Sequence, residues 1–173
     1  MTDLLNTIKS RRSIRKFKSD DIPEDILNRI IEAGTYAATG MNKQSPIIVA
    51  VTNKEIRDKL SQANCKIGGW KEGFDPFYGA PVVLIVLADR NLTNCVYDGS
   101  LVMGNLMLAA HELGIGSCWV NYFPNSKIEE AFGLPENEKL VLLMPIGYPA
   151  EDAKPLESMH FPCKPIEDTV KYI

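Results

Sequence analysis

Residues 81–88, Pro-Val-Val-Leu-Ile-Val-Leu-Ala, are apolar on both alternating faces. A strand of that kind needs a packed layer on each side, so it predicts the centre of a sheet and not its edge. Residues 94–113 impose a second constraint. They carry Val96, Leu101, Val102, Met103, Leu106, Met107, Leu108, Ala109, Ala110 and Leu113, nearly all round a predicted helix that must be buried on more than one side.

The remaining elements fall around these two. Leu4, Leu5 and Ile8 share one face of a short helix over 3–11, and residues 13–17 alternate as a short extended segment. Pro23, Glu24 and Asp25 open a helix that Ile26, Leu27, Ile30, Ile31 and Ala33 carry to about residue 37, where Gly40 breaks the pattern. Strands are expected over 46–51, 116–123 and 140–148, and helices over 54–63 and 127–132. Residues 65–79 read differently: Gly68, Gly69, Gly73 and Gly79 punctuate Trp70, Phe74, Phe77 and Tyr78, a glycine-rich aromatic loop. The tail from 150, rich in proline and charge, is expected to wrap over a surface or a partner. No linker, repeat or low-complexity segment divides the chain, so a single α+β domain over 1–173 is expected. With 173 residues and 45% hydrophobic content, one such domain can bury a substantial core.

The formal charge of -3 argues against a general nucleic-acid surface, and no run reaches the length of a membrane span. The N-terminal residues lack a basic region before an apolar stretch, so a cytoplasmic location is expected. Cys65, Cys95, Cys118 and Cys163 form no Cys-x-x-Cys pair, and His111 and His160 stand apart from them, which predicts free thiols and no metal site. Cys118 reads as a buried strand residue.

Charge is concentrated in one place. Lys9, Arg11, Arg12, Arg15, Lys16 and Lys18 lie together with no acid among them, while the rest of the chain carries 13 positive against 22 negative residues. Such an island suits a single compact anion, and arginine's planar fork fits phosphate or carboxylate. A solvated basic loop is the alternative. Other cofactor signatures are absent: Gly114-Ile-Gly116 precedes a strand and has Trp119 where a third glycine belongs, and there is no P-loop. His111-Glu112 lacks a second histidine at Ile115, and Asp98-Gly-Ser100 has no matching base. Without a visible nucleophile, any chemistry falls to a bound organic cofactor.

The ordered set of segments resembles the nitroreductase family. Arg11-Arg12-Ser13-Ile14-Arg15-Lys16-Phe17 follows a short helix as that family's FMN-phosphate motif does. Residues 37–44 (Ala-Ala-Thr-Gly-Met-Asn-Lys-Gln), 77–81 (Phe-Tyr-Gly-Ala-Pro), 98–101, 107–119 and 144–149 (Met-Pro-Ile-Gly-Tyr-Pro) are similar to later family segments in the same order. The resemblance implies a central mixed, mainly antiparallel sheet flanked by helices. It also implies a homodimer with the long helix at its interface and FMN between subunits. Arg11, Arg12 and Ser13 would hold the phosphate, joined by Lys164. Arg15 would reach the pyrimidine edge of the flavin. Thr39, Asn42 and Gln44 would lie near the flavin, the Thr39 segment coming from the second subunit, and Asn121 would fall close to flavin N5. Trp70, Phe74 and Phe77 would form a substrate lid, or else a satellite core under the loop; Asn42 has the alternative of capping a turn. The implied activity passes hydride from NAD(P)H through FMN to a flat acceptor, a nitroaromatic or quinone, by a ping-pong mechanism with no catalytic side chain. A redox-sensing flavin binder without turnover, or another flavin reaction such as dehalogenation or metabolite dehydrogenation, remains open. The chain departs from the family pattern at Ala38, at Ser45-Pro46, at Tyr122 and beside Lys164, where Cys163 stands.

Overall fold

The computed structural model describes residues 4–121, 125–154 and 163–173. Its centre is a four-stranded antiparallel sheet in the order β1 (Ile47–Val51), β2 (Val82–Asp89), β4 (Glu138–Gly147), β3 (Gly116–Ser117). As its sequence requires, β2 lies inside the sheet and is buried along seven of its eight residues. Val82, Leu84, Val86 and Ala88 face one apolar cluster, and Val83, Ile85 and Leu87 face another.

The first cluster lies under α2 (Glu24–Thr35) and α4 (Cys95–Glu112), which contribute Ile30, Met103, Leu106 and Ala110. The second lies under α3 (Lys54–Gly68), with Leu60 and Ile67 packed against it. The sheet is thus covered on both faces. A bulge between Val86 and Leu87 leaves Val141 without a ladder partner. Val141 instead packs against Gly99 of α4, so closely that an added Cβ would sit 2.8 Å from its Cγ2. That approach fixes the N-terminal half of α4 to the sheet.

The helix α1 (Leu4–Ser10) precedes the basic island, a 3-10 turn spans Gly40–Asn42, and α5 (Asn125–Phe132) and α6 (Ile166–Thr169) complete the described elements. Ser13 forms an isolated parallel bridge to Ser117 at the edge of the sheet, whose strand pairs are all antiparallel, so the mainly antiparallel character of the expectation holds and its mixed character rests on that bridge alone among the described residues. Two expectations are corrected. The helix α3 runs on through Cys65 to Gly68, where Gly69 at φ 69° terminates it, so the aromatic loop is shorter than its glycines suggested. Of the strand expected over 116–123, residues 122 and 123 lie outside the described residues, and among the described ones it is regular only at Gly116–Ser117; the next residue in register on β4, Pro145, has no N–H, and Val120 then rejoins Leu143 by an isolated bridge. The long helix α4 is buried on more than one side, against α2, β2 and β4, as its sequence requires, while Val96, Tyr97 and Leu101 stay exposed. No helix among the described residues is long and apolar enough to cross a membrane.

Candidate functional site

The basic segment is laid along β3 by its backbone. The Ile14 N–H donates to Ser117 O at 2.9 Å, and Lys18 N–H donates to Tyr148 O at 2.8 Å. Gly116 permits the approach, because a Cβ there would meet the Ile14 Cβ at 2.9 Å. Two positive charges are turned outward and paired, Lys16 with Asp152 and Lys18 with Glu151. Arg12 is also spent locally: its Nη1 donates to Lys9 O at 2.6 Å and Arg11 O at 2.8 Å, closing the end of α1.

Arg11 is different. Its Nη1 is buried and has no hydrogen-bond partner among the described residues. It borders a groove of about 360 Å³ that Ser10, Arg12, His111 and Gly116 also line. Leaving a guanidinium N–H dry and unpaired costs free energy, which an anion paired with the same guanidinium from the groove would offset. Ser13 and Arg15 belong to the same neighbourhood, since both act on the buried Cys118 thiol. Burial pushes that thiol up, against the Arg15 charge, a hydrogen bond from Ser13 and the Arg11 charge. The Arg11 guanidinium, with the Arg15 charge in the same neighbourhood, suits a compact anion such as a phosphate.

Thr39, Asn42 and Gln44 are gathered elsewhere. The Gln44 N–H donates to Thr39 Oγ1 at 3.1 Å and Gln44 Nε2 donates to Asn42 Oδ1 at 3.2 Å. Thr39 and Gln44 line a separate depression against α2 and β1, with Gly34, Ile48 and Val102. Within one chain this depression and the Arg11 groove have no lining residue in common. Asn121 and Lys164 are exposed, and Tyr122 lies outside the described residues.

The expected lid divides. Trp70 and Phe74 meet in a tilted contact, 5.0 Å between centroids and 57° between planes, and line a cavity of about 680 Å³ over α3. Phe77 is corrected: at 0% exposure it belongs to the cluster beneath β2, and so the core alternative holds for it. Asp75 turns the chain there, accepting from Phe77 N–H, Gly79 N–H, Ser61 Oγ and the Arg57 guanidinium. Residue types alone missed His111, whose Nε2 lies 2.8 Å from Ser10 Oγ at the Arg11 groove. Its signal was its place within the quoted segment 107–119.

A β-sheet covered by helices on both faces, with a long central helix along one of them, defines an α+β protein. The nitroreductase family model matches residues 8–67 and 69–148, and the chain belongs to that family. A candidate NADH dehydrogenase/NAD(P)H nitroreductase of Methanothermobacter thermautotrophicus is 31% identical over 158 residues, 87% of this chain and 79% of the relative. An NADPH-flavin oxidoreductase of Vibrio harveyi is 30% identical over 164 residues, 88% of this chain and 68% of the relative. The crystal structure of a nitroreductase with bound FMN from Bacteroides fragilis superposes with a TM-score of 0.77 at 30% identity, covering 95% of this chain and all of that one.

Proposed function

We propose that this chain is an FMN-dependent NAD(P)H oxidoreductase that works as a cytoplasmic homodimer on small flat acceptors such as nitroaromatics or quinones. The observation that carries the reading is Arg11, which borders a groove along the basic segment and keeps a buried Nη1 without a partner among the described residues. The FMN bound by the Bacteroides fragilis relative supports the same ligand here. Arg11 and Ser13 would hold the phosphate, with Lys164 joining them, and Arg12 would support Arg11 by fixing its carbonyl. Arg15 would set a positive charge near the pyrimidine edge, and Asn121 would border the reacting face. When bound, FMN supplies the acceptance of hydride from NAD(P)H and its ping-pong delivery to the acceptor.

The protein's own part is binding, orientation and charge. Arg15 would stabilise negative charge at the reduced cofactor, while Trp70 and Phe74 would offer apolar faces to a flat acceptor. Thr39, Asn42 and Gln44, apart from the Arg11 groove in one chain, would complete the site from the partner subunit. The exposed Tyr97 and Leu101 on α4 support such pairing.

The purified chain is expected to be yellow or to become so with added FMN, and its flavin absorbance is expected to bleach rapidly with NADH or NADPH in stopped flow. A colourless protein that takes up no added FMN overturns the proposal. Uptake without bleaching favours a flavin-binding sensor.

A further inference from the structure

Asp98 is a carboxylate that the proposed chemistry does not use. It lies in the first turn of α4, is 4% exposed, and its Oδ1 accepts from the Gly40 backbone N–H at 3.0 Å. The helix under it is rigidly seated, because the next residue, Gly99, is in close contact with Val141 of β4. One turn earlier, Asn94 closes over the same place: a Cβ on Gly40 would lie 2.3 Å from its Nδ2. Asn94 and Asp98 together enclose Gly40, and the N-terminal end of α4 complements the negative charge.

The chain beyond Gly40 is unfavourable for L-residues. Met41, Asn42 and Gln44 have φ of 51°, 54° and 50°, in the left-handed region. Backbone of this kind persists only where its surroundings over-determine it. The bonds from Gln44 to Thr39 and Asn42, and from Lys43 N–H to Gly40 O, shape the segment internally. They do not tie it to the scaffold. The Asp98 bond does, and it is charge-assisted and partly buried.

We infer that Asp98 is a positioning residue: through Gly40 it latches the segment of Thr39, Asn42 and Gln44 in the shape that presents these residues to FMN. What the segment faces rests on the proposed function; the latch itself does not. The chain of contacts runs from Val141 through Gly99 and Asp98 to Gly40, so the sheet sets the segment's position.

The test compares Asp98→Ala and Asp98→Asn in the full chain, by FMN affinity and by amide hydrogen exchange at Gly40 measured by NMR. Asp98→Ala is expected to weaken FMN binding about tenfold or more, and to speed Gly40 exchange by a similar factor. Asp98→Asn retains an acceptor oxygen and is expected to stay within about threefold of the unaltered chain on both readouts. A merely structural role would lower the melting temperature and leave FMN affinity unchanged below the melt. The latch is overturned if Gly40 is unprotected in the unaltered chain or exchanges as slowly in Asp98→Ala. Its positioning role is overturned if FMN affinity in Asp98→Ala stays within about twofold. If the unaltered chain takes up no FMN, the proposed function and the positioning role fail together, and Gly40 exchange alone decides the latch. Where Asp98→Ala does not fold, Asp98→Ser removes the carboxylate with less apolar change and is measured in the same way.

Discussion

Arg11 and Arg12 are neighbours of the same type with different work. Arg12 reaches back to the carbonyls of Lys9 and Arg11, whereas Arg11 keeps a buried Nη1 without a partner among the described residues. Arg11→Ala is therefore expected to weaken FMN retention by about tenfold to a hundredfold, the worth of a charge-assisted hydrogen bond. Lys54→Ala removes the same charge from an exposed i,i+4 pair with Asp58 and is expected to change retention by less than about twofold. Equal retention in the two variants, measured by equilibrium dialysis, would count against the phosphate assignment. The anion preference of this segment was legible in the clustering of its charges. Which arginine is free was not, because that depends on how the backbone passes Ser117 and on where α1 ends.

At the scale of elements, the apolar run of β2 announced a central strand because burial on both faces leaves no room for polar alternation. The aromatic loop was harder to read. Trp70, Phe74 and Phe77 share a glycine-rich context, yet Phe74 is 42% exposed and Phe77 is 0% exposed. The difference is made by Asp75, whose carboxylate collects two backbone N–H groups, the Ser61 hydroxyl and Arg57, and turns the chain inward after Phe74. Burial raises the Asp75 carboxyl, but the hydrogen bonds from Ser61, Phe77 and Gly79 and the Arg57 charge outweigh it, leaving it below the usual carboxylate range. A carboxylate depressed in the folded state contributes stability that is complete above its unfolded value and is lost as pH falls through the folded one. Asp75→Asn is expected to cost about 1 to 2 kcal/mol near neutrality. The gap in melting temperature between it and the unaltered chain should narrow below about pH 4. A gap that is constant from neutral to acid pH would show that the charge of Asp75 does not hold the loop. The same variant is expected to raise KM for a flat acceptor more than it lowers kcat, because it loosens the Trp70 and Phe74 faces and leaves the Arg11 groove intact.

At the scale of the whole molecule, one chain leaves two things unfinished. The residues expected around the flavin line separate depressions, Arg11 in one and Thr39 and Gln44 in another. Apolar surface also stays open: Tyr97 is 71% exposed and Leu101 51%, with Leu4, Leu5 and Ile8 of α1 exposed as well. The sequence could not separate these from core residues, since an apolar side chain is written identically whether a sheet or a second subunit covers it. A second copy seated on this face would cover the apolar side chains and bring its Thr39 segment to the Arg11 groove in one step. Leu101→Glu tests both consequences together. Because Leu101 is exposed in the single chain, the substitution is expected to leave the fold and its far-ultraviolet circular dichroism unchanged. A carboxylate forced into a desolvated interface costs several kcal/mol, about enough to shift a micromolar association out of reach. Light scattering should then report a monomer for Leu101→Glu and a dimer for the unaltered chain, with FMN lost from the variant and retained by its parent. A monomeric variant that still holds FMN at full affinity would mean that one chain suffices for the site. A dimeric variant would mean that the subunits meet elsewhere.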